Sequence, residues 1–505
     1  MIAATCIDTQ PATDFPGPSL NIAEYQRANA FYRGDAPAVV GEQGIVTHRQ
    51  LDERTRRIAN HLARCGVAPG DLVGVCIKDS AESVAIWLAL ARLGAAVIPM
   101  DWRWTQEEQR QIETIFRPRL VFGEPGRRRD TGRAITVLDD AWYAAVAATP
   151  ADDRMAPGGD NVFLMNMSSG TTGLPKGHVH THESYIAIVR SHLSDMRQAP
   201  TDRGLAVLPM ASAAGRSLVL VTILAGGSIE FPPPLLDPAE LVELCTRGRI
   251  NMLLLVPSIL RGLLRIAPQE GLLLPGLHRL VSVGAMLFPE ESRAVLKRVT
   301  PHLINYFGNS GGGVNTMLQP DELELKPGSV GRPTLGTELQ VVDEAGNVLE
   351  PGQTGRLRVR CPSTCSGLYP PDPADTSYFE GWHYPGDYAL IDTDGYLFLQ
   401  GRYNDIIIRG GSNVYAPEVE RVLLAVPGIR EAAVFGVPHA TLGEEVVGCI
   451  VADDSVEDPI LVRHCRGQLA AYKIPTRFRR LPELPRNSAG KILKRELSGL
   501  FDPAG

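Results

Sequence analysis

Between residues 51 and 101 the apolar positions change period twice. The stretch "LDERTRRIANHLARCG" carries its apolar side chains at helical spacing and stops at Gly66, and "DLVGVCI" then reads as a short buried strand. A second helix is predicted to open at Asp79, with Glu82 three residues on as a capping partner. It runs through "SVAIWLALARL" and stops at Gly94, before the strand "AAVIPM". The same rhythm returns from residue 203 onward, with "MLLLV" as a buried strand and "ESRAVLKRV" as an amphipathic helix. Helices and strands that alternate in this way predict α/β layers.

After about residue 325 the pattern shortens to period two. "TELQVVDEAGNVLEPGQTGRLRVR" alternates apolar and polar positions, and Ala345-Gly346-Asn347 and Pro351-Gly352 punctuate it as tight turns, which predicts a small β-barrel subdomain. "GRYNDIIIRGGSNVYAPEVE" marks a further boundary, because its glycines flank a strand and a helix can open at Ala416-Pro417. The expected division is an N-terminal domain over 1–402 and a small α+β C-terminal lid over 403–505.

Composition narrows the class. A hydrophobic fraction of 44%, a charged fraction of 21% and a net charge of -7 fit a soluble globular protein and disfavour polyanion binding by the whole surface. The 8 cysteines are scattered, and the polar, Pro-punctuated opening lacks a basic start and an apolar run. Reduced thiols in a cytoplasmic protein are the expectation. Cys361 and Cys365 are spaced almost as metal ligands are, but no second Cys or His pair follows them.

The chemistry concentrates in "NMSSGTTGLPKGHVHTH", residues 166 to 182. Glycines let backbone amides approach oxygens closely, and hydroxyls and an ammonium complete a cradle for an oligophosphate. It is not the Walker loop, because Gly173 is followed by Leu174 and Pro175 before Lys176, and Gly177 replaces the hydroxyl. His178, His180 and His182 alternate along a predicted strand and share one face; with no Cys or carboxylate cluster beside them, a structural or pocket-facing role is preferred to a metal site.

Over roughly residues 40 to 498 the chain resembles the adenylate-forming superfamily of acyl-CoA synthetases, adenylation domains and luciferases. "SSGTTGLPKG" is similar to the family's phosphate loop, "YPGD" at 384–387 to its Y-x-T-G-D, "GRYNDIIIRGGSNVYAPEVE" to its hinge, and "LPRNSAGKILKREL" to its terminal Lys motif. The resemblance implies that Ser168, Ser169, Gly170, Thr171, Thr172, Gly173 and Lys176 hold the phosphates of ATP. It places Asp387 on the ribose with Arg402 nearby, and Gly284, Ala285, Asn309 and Ser310 around the nucleotide. Lys491 is the implied catalytic cation, closing with the lid over the reacting phosphorus. Asn404 aligns with the hinge, and Gly410 and Gly411 with a thin tunnel for a pantetheine arm. By itself, the run 472 to 496, eight Lys/Arg against two Glu, would read as a solvated basic face.

Two departures stand out. The family's aromatic-Gly-x-Thr-Glu, whose Glu helps hold Mg²⁺, is here "YFGNSGGG", with Ser310 and Gly311 at the last two positions. Mg²⁺ is then expected to arrive with ATP, held by phosphates, water and Thr171 or Thr172, and a Glu restored at 311 to tighten the metal dependence. In "LPMASAAG", Ser212 replaces the usual pocket-gating His or aromatic, so Ser212, Ala213, Gly284 and Gly311 are the candidate substrate-pocket residues. Three readings follow: an ATP-dependent ligase joining a small acid to CoA or a carrier-protein thiol; a diazotase-like enzyme joining nitrite to an aromatic amine; and a nucleotide-binding sensor that has lost catalysis.

Overall fold

The computed structural model describes residues 20–41, 44–126, 134–169, 175–233, 236–372, 375–410, 412–439, 441–486 and 492–501. Two large mixed sheets form the N-terminal domain. In one, the parallel strands Leu303–Asn309, Arg279–Ser282, Met252–Leu255, Arg203–Leu205, Ser228–Glu230 and Pro37–Gly41 lie side by side in that order. In the other, Val162–Ser169, Ala96–Pro99, Leu72–Cys76, Leu120–Gly123 and Ala134–Val137 run parallel, and Pro175–Thr181 adds an antiparallel strand beside Val162–Ser169. These strands are near-continuous apolar runs because helices cover both faces of a parallel sheet.

The helix Ala81–Leu93 shows how sequence becomes packing. Every residue from Ser83 to Leu93 is buried, so the helix lies inside the molecule, and its side chains join those of the large core cluster. A helix that is apolar all round has to be enclosed on every side, and burying each of its large side chains is worth about 1.5–3 kcal/mol. Gly94 ends it in the left-handed region at φ 71, as the sequence predicts. Its start differs: Ser80, not Asp79, is the cap, with Ser83 as the reciprocal partner. Asp79 instead accepts the Met210 N–H at 2.9 Å, and burial raises its pKa to about 7.

The expected barrel takes the form of a six-stranded antiparallel sheet over residues 338–402, whose pairings trace an open path among the described residues. Gly346 and Gly352 turn its first strands at φ 87 and 86. The last strand, Leu397–Arg402, leads through a short turn at Tyr403–Asp405 into the small C-terminal sheet. There the helices Ala416–Leu424 and Asp458–Arg466 share one apolar cluster with the sheet, and Lys494–Ser498 contributes to a second. Ala416 and Pro417 do open the helix. Among the described residues no helix is long and apolar enough to cross a membrane.

Candidate active site

Three chain segments meet at the turn Asn309–Gly312. The strands Leu303–Asn309 and Gly313–Leu318 form the hairpin that carries it. The strand Val162–Ser169 runs into the glycine loop and returns as Pro175–Thr181, pairing Ser168 with Lys176 and Ser169 with Pro175. From these strands Asn166 Nδ2 donates to the Ser310 carbonyl at 2.9 Å, and His180 Nε2 donates to the same oxygen at 3.2 Å. From the antiparallel sheet, His383 Nε2 lies 2.8 Å from Asn309 Oδ1. Four residues later Asp387 opens a strand whose register sets it opposite Arg402, whose Nη1 donates to its two carboxylate oxygens at 3.3 and 3.2 Å.

The predicted residues divide. Gly284, at φ 86, and Ala285 are exposed just beyond the carboxyl end of Arg279–Ser282, the edge at which open α/β sheets bind ligands. Ser212 caps the helix Ala213–Leu224, accepting the Gly215 N–H at 3.1 Å and donating to the Pro209 carbonyl at 2.8 Å, so its hydroxyl is already engaged. Ala213 is the first residue of that helix. Ser168 and Ser169 end their strand, while Gly170, Thr171, Thr172 and Gly173 lie outside the described residues, as do Gly411 and Lys491. Asn404 falls in the turn Tyr403–Asp405, and Gly410, at φ 58, donates its N–H to the Leu442 carbonyl at 2.7 Å.

Lys176 is not waiting bare for a phosphate. Its ammonium sits 2.9 Å from Asp372 Oδ2 and 2.5 Å from Asp375 Oδ2. Burial opposes its charge, but the two carboxylates outweigh that and hold its pKa above the usual value; Asp375 is correspondingly held below the usual carboxylate range.

Position 311 is closely packed. A Cβ built on Gly311 would lie 2.4 Å from the Tyr378 hydroxyl and 2.7 and 2.8 Å from the His383 ring. A Glu restored at 311 would have to displace the Tyr378 hydroxyl and the His383 ring. Asn309 shapes the turn instead: its Oδ1 accepts the Gly311 and Gly312 amides at 3.0 and 2.7 Å.

Each of the three histidines is engaged by hydrogen bonds within the protein. His178 Nδ1 pairs with the Tyr378 hydroxyl at 2.7 Å, and burial lowers its pKa to about 4. His180, fully enclosed, is lowered by burial to about 3 and reaches Ser184 through its other nitrogen. His182 opens a helix rather than ending a strand, accepts the Ile22 N–H at 3.2 Å, and is lowered by burial to about 4. Among the described residues no group of His, Cys, Asp and Glu could hold a metal ion.

Sequence reasoning missed Arg216. It is 2% exposed and has no carboxylate partner among the described residues. Its Nη2 donates to Asn166 Oδ1 at 2.7 Å, its Nη1 donates to the Met210 carbonyl at 3.0 Å, and its guanidinium lies 5.6 Å from the Trp87 ring centroid. The available signal was a single charge inside the apolar run "AAGRSLVLVTIL". Arg216 thus braces Asn166, which braces Ser310.

Residues 26–369 match the model of the AMP-binding enzyme family, and residues 418–491 that of the AMP-binding enzyme C-terminal domain. The chain belongs to the AMP-binding enzyme family. It is 31% identical to the long-chain-fatty-acid–CoA ligase FadD13 of Mycobacterium tuberculosis over 486 residues, covering 93% of this chain and 96% of that one. The ATP-bound structure of MatB from Rhodopseudomonas palustris superposes with a TM-score of 0.87 at 28% identity, covering 96% of this chain and 100% of that one. The amide bond synthetase McbA from Marinactinospora thermotolerans gives a TM-score of 0.85 at 27% identity, with the same coverage. The protein is an AMP-forming ligase that uses ATP.

Proposed function

We propose that this ligase adenylates a small carboxylic acid, aromatic acids included, and passes the acyl group to the thiol of CoA or of a carrier protein. The observation that carries the reading is the hydrogen-bonded junction at Asn309–Gly312. It ties the strand entering the glycine loop, the turn at the candidate pocket and the segment preceding Asp387 into one unit. Attack of a weak carboxylate oxyanion on the α-phosphorus demands such fixed positioning together with neutralised charge. In this reading the glycine loop and Lys176 hold the leaving phosphates, Asp387 and Arg402 the ribose, and Gly284 and Ala285 the base and acyl group. Residues 403–505 form a lid turning about Asn404, Lys491 covers the reacting phosphorus, and Gly410 and Gly411 line the thiol's path. Mg²⁺ bound to ATP would supply further charge neutralisation; with position 311 closed, Thr171 or Thr172 and the phosphates themselves are its expected ligands.

Similarity to FadD13 supports the thiol acceptor, and similarity to McbA supports an amine as the second reading. One screen separates them: pyrophosphate release from ATP over a panel of acids, followed by addition of CoA, a carrier protein or an amine. Acid-dependent release followed by thioester formation is expected. Release that needs nitrite, or a product formed only with the amine, would displace the thioester reading.

A further inference from the structure

His383 poses a problem of hydrogen-bond accounting. Its Nδ1 lies 3.0 Å from the Ser377 carbonyl oxygen and its Nε2 2.8 Å from Asn309 Oδ1. A carbonyl oxygen can only accept. The orientation of the Asn309 amide is fixed independently of the histidine. Its Oδ1 receives two backbone N–H groups, from Gly311 and Gly312, and its Nδ2 donates to Asn315 Oδ1 at 2.7 Å. Asn315 Nδ2 in turn donates to the Gly312 carbonyl at 3.1 Å. Rotating the Asn309 amide by half a turn would aim an NH₂ group at two N–H donors. The ring therefore meets an acceptor oxygen at each nitrogen. A neutral imidazole, in either tautomer, sets one lone pair against an oxygen at hydrogen-bonding distance; only the imidazolium donates to both.

We infer that His383 carries a proton on both nitrogens in the folded protein at neutral pH and, as an imidazolium, is the positioning residue that holds the Asn309–Gly312 turn in shape for adenylation. The kinetic half of this claim rests on the adenylation reading; the protonation state does not. Burial above all, with the neighbouring His178 and Arg402, pushes the ring's pKa down, to about 3 even with Ser377 and Asp375 favouring the charge, and His180 stands close enough for the two rings to oppose each other's protonation. Against this stands the Asn309 contact: a neutral ring can donate to Ser377 or to Asn309, and only the protonated ring donates to both. Tyr378, stacked at 4.7 Å between ring centroids with a 31° tilt, completes the surroundings with a hydroxyl that burial keeps protonated. The ring also fills the space a side chain at 311 would need.

The sign of the pH effect follows. A histidine whose folded pKa exceeds its unfolded value contributes stability that is fully present below the unfolded pKa and lost as pH rises through the folded one. Selective ¹⁵N-histidine labelling of the full chain tests the claim directly. At pH 7.5 exposed histidines are mostly neutral, and among the 11 in the chain one buried imidazolium is expected. Its signal should vanish in H383Q or H383N, whichever folds. In acid-dependent pyrophosphate exchange, H383Q should lower kcat about tenfold, the order expected for one lost charge-assisted hydrogen bond. Its KM for ATP should change little, and the wild-type decline at high pH should flatten. A ring with one bare nitrogen at pH 7.5 would overturn the assignment whatever the kinetics show; an imidazolium whose removal leaves kcat and its pH profile unchanged would overturn its positioning role.

Discussion

Two cations near the site, one half-buried and one buried, are held in opposite ways. Lys176 lies at the edge of the seven-stranded sheet on two carboxylates from the 370s loop. Arg216 lies between the sheets with neutral acceptors and an aromatic ring. An ammonium is a compact point charge on a flexible stem, so Lys176 can exchange its carboxylates for phosphate oxygens without rebuilding its surroundings. A planar guanidinium with directed bonds to Asn166 and Met210 cannot move without leaving those acceptors unpaired. The difference separates a group suited to changing partners from one that fixes the frame in which partners change.

Removing the fixed cation should cost most. Arg216→Met leaves the Asn166 amide oxygen and the Met210 carbonyl without their donor, and each buried orphan costs roughly 1–3 kcal/mol. Denaturant unfolding should show a loss of about 2–5 kcal/mol, and an unchanged midpoint would dissolve the contrast with Lys176. Lys491→Ala, which removes a cation proposed to act only after lid closure, should raise the adenylation barrier by about 3 kcal/mol while ATP binding survives, read by pyrophosphate exchange and calorimetry. Equal turnover in that variant would remove the lid cation from the account.

Gly311→Glu sharpens the comparison from the turn. With a Cβ 2.4 Å from the Tyr378 hydroxyl, the substitution should destabilise by about 1–3 kcal/mol and leave the Mg²⁺ titration no tighter. A tighter titration with full stability would show that the turn can open to admit a carboxylate. The smallest effect is expected from Asp372→Asn with Asp375→Asn. Freeing Lys176 from its competing carboxylates should strengthen ATP binding by up to about 1 kcal/mol, a size typical of partly exposed ion pairs. Since the pKa of Asp375 is depressed in the fold, its contribution to stability is present above its unfolded pKa and lost as pH falls through the folded one; the double variant should blunt that acid loss.

The parts that could be read from sequence were those with local causes. The period change at 51–101 located two helices and two strands, and Gly94 and Pro417 marked an end and a start. The Asp79 cap was misplaced because Ser80 offers the same capping chemistry one residue later, and Asp79 is drawn to Met210 from a distant segment. Arg216, Asn166 and His383 stayed hidden because their roles depend on contacts with residues far away in the chain. Gly311 could be seen as a departure, but the reason for it, the ring and hydroxyl occupying the space of its missing side chain, is visible only in three dimensions.

A structure of the full chain with ATP tests the central contrast most directly. The account predicts that the Lys176 ammonium leaves Asp372 and Asp375 for the β- or γ-phosphate, while Arg216 keeps its bonds to Asn166 and Met210. A triphosphate bound away from the glycine loop, with Lys176 still on both aspartates, would contradict it.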